Sequence, residues 1–325
     1  MLLHIRGEHR SAKVDPNQSD LLDCKIAALN DALNAVYDND PRLTPTDRVV
    51  VALLARMMCA PSRVNEVMCS SIDDHVVIED YAKKTSFSQS ELHETYQMLL
   101  ITMKGSKGAE WGAKPALNFM IDLFNYATSV IISHGERSRM LVRWYESNPK
   151  KIFLPEGLEY LRGKDLSRRD VSMIINVSAT GRPAAATTFR VLKKKIFIGL
   201  NPDYPNLSPR KEGELLKFKD VERYLLTKVR HAMEKCRKVT LTNHFEGQLS
   251  KMLCLVDRNA SPYLPSAINY GYVHGITKRA GSTAKAKFPS IFEKLGITMP
   301  VDGKIQTAWI QTPVSYTHLT LPTKA

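Results

Sequence analysis

The stretch from Leu43 to Asp74, "LTPTDRVVVALLARMMCAPSRVNEVMCSSIDD", constrains the fold more than any other. It opens with an explicit helix start. Thr44 can cap, Pro45 suits the first helical position, and Asp47 sits near the positive helix end. From Val49 to Met58 the side chains are apolar almost all round, so this helix is buried on most sides. Pro61 ends it, and a short helix follows from about Ser62. Arg63 stands at the start of that helix, and Glu66 follows on the same face, while Val64, Val67 and Met68 anchor it in the core. The pattern puts a guanidinium at the edge of a core, aimed by a neighbouring carboxylate. Such an arginine can fork onto phosphate oxygens. The plainer reading is a solvated Arg63–Glu66 pair on a surface helix.

The rest of the chain is read around this helix. Ser19–Tyr37 is helical, with Leu21, Leu22, Ile26, Leu29, Leu33 and Val36 at helical spacing. "HVVIEDY" reads as a strand. Tyr96–Met103 and Ala109–Leu117 read as two more, joined by the glycine-rich turn "KGSKG". "NFMIDLFNYATSVIIS" is an amphipathic helix, "RWYESNPKKIFLPEG" a loop and "FKDVERYLLTKVRHAMEKC" a charged amphipathic helix. "SPYLPSAINYGYVHGI" reads as a proline- and aromatic-rich loop. The expected class is mixed α+β, mainly helical, with a small antiparallel sheet and a large helical insertion. The expected organisation is a disordered or partial upstream segment over 1–18, a first unit over 19–135 and a helical insertion or extension over 136–312.

Charge narrows the partner. The 325 residues carry a formal net charge of +13 and a pI near 9.4, which favours a polyanion, most simply nucleic acid. No apolar run approaches the roughly 20 residues of a membrane span, and "MLLHIRGEHR" is no secretory signal, so no membrane partner is expected. The five cysteines are scattered without a C-x-x-C, which reads as reduced cytosolic thiols with no metal and no cofactor.

The hairpin turn carries Lys104 and Lys107. A lysine there can reach a DNA backbone or donate a proton. "CAPSRVNEVMCSSIDD" followed about forty residues later by "KGSK" resembles the catalytic domain of the tyrosine recombinases, the phage-integrase class, over roughly residues 20–135. The resemblance implies that Arg63 and Glu66 occupy the first catalytic box and that Lys104, ahead of Lys107, is the hairpin lysine. It implies a metal-free reaction in which a tyrosine hydroxyl attacks a DNA phosphodiester and forms a 3′-phosphotyrosine. Arginines stabilise the non-bridging oxygens and the lysine protonates the departing 5′ oxygen. Duplex DNA is then the partner, with self-association on DNA and a cytoplasmic, nucleoid-associated location.

The family's second box, His-x-x-Arg with a later His or Trp and the nucleophilic Tyr, is not found at the expected spacing. His134-Gly-Glu-Arg137 is the one His-x-x-Arg, placed directly after the hairpin's helix, where a helix C-terminal histidine is the plainer reading. Tyr145 lies too near it and Tyr160 sits in a loop, while His244 and His274 lack the arginine at the right offset. Residues 313–325, "PVSYTHLTLPTKA", read as translated sequencing-library adaptor, with the gene cut after about Thr312. On this reading the chain binds DNA without cleaving it, and its parent protein is the enzyme. The alternative is a non-catalytic DNA-binding protein of a mobile element. Residues 165–198 have the outline of a helix-turn-helix, with Arg190, Lys193, Lys194 and Lys195 on its second helix as candidate DNA contacts. The plainer reading there is a helical hairpin with a solvated basic end.

Overall fold

The apolar helix expected after Thr44 is α2, Pro45–Cys59, and it lies at the centre of a mixed α+β fold that is mainly helical. The computed structural model describes residues 16–60, 62–78, 98–104, 111–116, 118–175, 216–241, 243–258, 261–278 and 289–310. Thr44 and Asp47 close a reciprocal capping box: the Thr44 hydroxyl accepts from the Asp47 amide, and the Asp47 carboxylate accepts from Thr44. Val49, Val50, Leu53, Leu54 and Ala55 are all buried, so α2 is covered on several sides. Its partners include α1, Pro16–Tyr37, and α4, Ile121–Ser133. On α4, Phe124, Ala127, Thr128 and Ile131 follow the i, i+3, i+4, i+7 rule and form the buried stripe.

Between α2 and α4 come α3, Val64–Met68, and a sheet of β1, His75–Ile78, β2, Met98–Lys104, and β3, Trp111–Pro115, in the order β1–β2–β3. Both pairings are antiparallel, with Val76 opposite Leu100 and Ile101 opposite Lys114. Leu99, Ile101 and Met103 are buried and Thr102 is exposed, the alternation of a sheet with one face on the core.

After α5, Glu136–Ser147, the chain builds a second core. It uses β4, Asp165–Leu166, α6, Arg168–Ile175, β5, Leu216–Lys217, and α7, Phe218–Arg237. Val221, Leu225 and Val229 of α7 meet Leu141, Tyr145, Ile152, Leu161, Leu166 and Ile174 there. The first core meanwhile draws members from both sides of residue 135. Leu249, Met252–Val256, Ile268, Val273, Ile291, Phe292 and Met299 pack with residues of α1, α2 and α4. Here belong α8, Tyr270–Thr277, α9, Ile291–Leu295, and the hairpin of β6, Thr298–Val301, and β7, Lys304–Thr307. That hairpin turns through Asp302 and Gly303, both at positive φ, as a two-residue turn requires. The long-range attachments are specific. Lys294 Nζ lies 2.7 Å from the Asp47 carboxylate, and the amides of Ile72 and Leu253 bond to the carbonyls of Lys251 and Ser70.

Two segments differ from the sequence expectation. The loop expected from Arg143 begins as the last turn of α5, because Leu141, Val142 and Tyr145 are buried at helical spacing. The aromatic loop expected before Ile276 contains α8, capped by Asn269, whose side chain accepts from the Tyr272 amide at 2.9 Å. Of the expected helix-turn-helix, the first helix is α6. The turn and second helix, with Arg190 and Lys193–Lys195, lie outside the described residues, as does Lys107.

Candidate nucleic-acid interface

Arg63 sits at the junction of three elements. Ser62 follows the α2 break, and its hydroxyl donates to the Ala60 carbonyl at 2.7 Å while lying 3.2 Å from Met103 Sδ of β2. Arg63 is extended, at φ −75° and ψ 147°, and forms the N-cap of α3. Glu66 occupies the third helical position and reaches back: its Oε2 accepts from the Arg63 amide at 2.9 Å. Its Oε1 stands 4.0 Å from the Arg63 guanidinium. Behind them Val64, Val67 and Met68 are buried, so α3 is pinned although it is little more than one turn long. The Arg63 side chain keeps 29% of its surface exposed, while Glu66 keeps 8%.

The sheet brings up a second cation. Lys114 of β3 pairs across the ladder with buried Ile101, and its Nζ lies 2.9 Å from Glu66 Oε2. One nearly buried carboxylate therefore accepts from the Arg63 amide and the Lys114 ammonium, with the Arg63 guanidinium 4.0 Å away. Sequence reasoning missed Lys114. No local motif singles it out, and it is the register with Ile101 that sets it on the α3 side. Lys104 is the last residue of β2, opposite Trp111, and directly follows the methionine that Ser62 touches. At the level of the backbone, Arg63 and Lys104 are thus each one residue from a shared contact.

Two further arginines are sealed inside. Arg56, 1% exposed, is paired through Nη2 with Asp74, donates to the Thr128 hydroxyl at 2.9 Å and lies 4.3 Å from the centre of the Phe124 ring. Burial works against its charge and Asp74 opposes that effect. Arg139 donates to the carbonyls of Ile132, Met252 and Leu253, tying the end of α4 to the late segment of the first core.

The remaining sequence candidates have local tasks. His134 ends α4, and its carbonyl accepts from the Asp257 amide. Arg137 bonds through its own amide to the Asp257 carboxylate and through Nη2 to the Ser261 carbonyl. The buried Tyr145 hydroxyl donates to the Tyr263 carbonyl at 2.8 Å and accepts from the Phe153 amide, and burial pushes its pKa up. Tyr160 is exposed beneath Lys164. His274 stacks on Tyr270.

Among the described residues no group of three or more His, Cys, Asp and Glu side chains could hold a metal ion. Among the same residues no helix is long and apolar enough to cross a membrane. Comparison with known proteins returns no matching family model, no matching curated protein and no matching solved structure.

Proposed function

We propose that this chain is the DNA-binding part of a tyrosine-type site-specific recombinase, in which Arg63 and Lys104 meet the phosphodiester to be cut. The observation that carries the reading is the Arg63 corner. An arginine stands at the edge of a core, its amide bonded to a nearly buried carboxylate that lies 4.0 Å from its guanidinium, beside the strand that ends at Lys104. Preorganised donors of this kind suit the charge that develops on non-bridging phosphate oxygens. The net charge of +13 suits a duplex partner.

In the proposed reaction a tyrosine oxygen bonds to phosphorus, the bond from phosphorus to the 5′ oxygen breaks, and Lys104 gives that oxygen a proton. Arg63 holds the non-bridging oxygens and Glu66 holds Arg63. The second box and the nucleophile have no counterpart at the family's spacing among residues 1–325, so this chain binds DNA without cleaving it. Lys107, Arg190 and Lys193–Lys195 are proposed backbone contacts, and copies of the chain associate on the DNA, in the cytoplasm.

A fluorescence-anisotropy titration of a duplex at several salt concentrations tests the partner. Binding that weakens steeply with salt supports the reading, and absence of binding at 50 mM salt removes it. Sequencing the parent gene past the codon for Thr312 tests the chemistry. A frame that continues into His-x-x-Arg and a tyrosine supports the recombinase. A frame that encodes residues 313–325 and stops favours the non-catalytic DNA-binding protein.

A further inference from the structure

The Glu66 carboxylate is shared between two cations from different elements, and we infer that Lys114 is a second phosphate-holding group of the same site, kept in place by Glu66. This inference rests on the DNA reading above.

Three observations carry it. First, the contact is specific: Lys114 Nζ lies 2.9 Å from Glu66 Oε2, the same oxygen that accepts from the Arg63 amide. Second, the geometry leaves both cations in reach of solution. Lys114 retains 37% of its side-chain exposure and Arg63 retains 29%, while the carboxylate between them retains 8%. An ammonium has three donors, and the contact with Glu66 uses one of them. Third, the elements are rigid. Lys114 is on a strand whose partner Ile101 is fully buried, and Arg63 caps a helix anchored by Val67 and Met68, both fully buried.

The chemistry that follows is a two-point grip on one phosphodiester. Arg63 supplies a planar fork and Lys114 a compact point charge. The phosphate replaces water around the exposed sides of the two cations, and Glu66 keeps them from swinging away. Lys114 acts by holding the phosphate and Lys104 by delivering the proton, so the two lysines are not interchangeable.

The test is the salt dependence of duplex binding by the full chain. Neutralising one phosphate contact changes the slope of log K against log salt by about 0.9. Lys114→Met is expected to lower that slope by about 0.9 and to weaken binding evenly across sequences, and Lys114→Arg is expected to restore both. Lys114→Met leaves the Glu66 charge with one cation fewer and lowers the melting temperature. Lys114→Gln removes the charge while its amide can still donate to Glu66, and keeps the comparison usable if Lys114→Met folds poorly. An unchanged slope in a folded Lys114 variant, with only the melting temperature reduced, makes Lys114 a structural ion pair and overturns the inference. If the wild-type chain binds no duplex at any salt, the DNA reading itself has failed, which is a different result.

Discussion

Arg56 and Arg63 are seven residues apart, at the end of one helix and the start of the next, and their surroundings are opposite. Arg56 of α2 is buried against α4 and the segment before β1, with Asp74 at Nη2, the Thr128 hydroxyl at Nη1 and the Phe124 ring centre 4.3 Å away. Arg63 has the Glu66 carboxylate beside it and keeps 29% of its side chain exposed. Arg139 belongs with Arg56: it is 1% exposed and bonded to backbone carbonyls. The difference separates arginines enclosed by the fold from one at its surface, which the proposed function sets against a phosphate. A buried guanidinium whose charge is already answered has little left to offer a ligand. A half-exposed one on a rigid mount does.

The strongest way to break this comparison is to remove the sealed group. Arg56→Met leaves the Asp74 carboxylate buried without its cation, and is expected to cost about 3–5 kcal/mol in urea unfolding. The double variant Arg56→Met with Asp74→Leu removes both charges and is expected to recover most of that loss. If Arg56→Met is nearly neutral, Arg56 is not the internal tie described here.

Gly135→Ala comes next. A Cβ at this position would lie 2.1 Å from the Leu255 carbonyl oxygen and 2.4 Å from the Arg139 guanidinium. The φ of −121° suits any residue, so the cost is steric alone. A backbone carbonyl gives way poorly, and the expected loss is roughly 1–3 kcal/mol. The effect should be smaller if Arg139 is first shortened to lysine, since one of the two obstacles is then reduced.

Much of this architecture is legible in local sequence, and the illegible parts share a cause. Thr44, Pro45 and Asp47 announce α2, and Pro61 with Glu66 announces α3, because caps and breakers act over three or four residues. The alternation Leu99, Ile101, Met103 marks β2 for the same reason. Lys114 escapes because its importance depends on register with Ile101 and on the approach of α3, both tertiary facts. The joining of residues 236–310 to the first core rests on pairs such as Asp47 with Lys294, far apart in sequence. Helix α8 is disguised by Gly271 and Gly275, poor helix formers whose cost is offset by buried Val273 and Ile276. At the candidate site the resemblance points to Arg63 and Glu66. Why they are rigid is visible only once Ser62 meets Met103.

Arg63→Ala sharpens the comparison from the other side. Its ion pair is 4.0 Å long and part-exposed, so unfolding stability is expected to change by less than about 1 kcal/mol. Duplex binding should nevertheless fall, with a salt slope lower by about 0.9. A large stability loss with unchanged binding would put Arg63 in the same class as Arg56.

The smallest effect concerns His134, beside the sealed Arg139 end of α4. Partial burial, together with Arg48, holds its pKa below the ordinary 6.5, and Asp257 only partly opposes this. The folded chain therefore binds this proton less readily than the unfolded chain. The stabilising contribution is fully present above about pH 6.5 and is lost as pH falls through that value toward the lowered folded pKa. Urea midpoints measured from pH 8 to pH 5 should decline more steeply for wild type than for His134→Gln, the other titrating groups cancelling in the difference. Identical profiles would mean that His134 is as accessible to protons in the fold as in the unfolded chain. The α4 end would then be an open surface like the Arg63 corner, not part of the sealed interior that Arg139 defines.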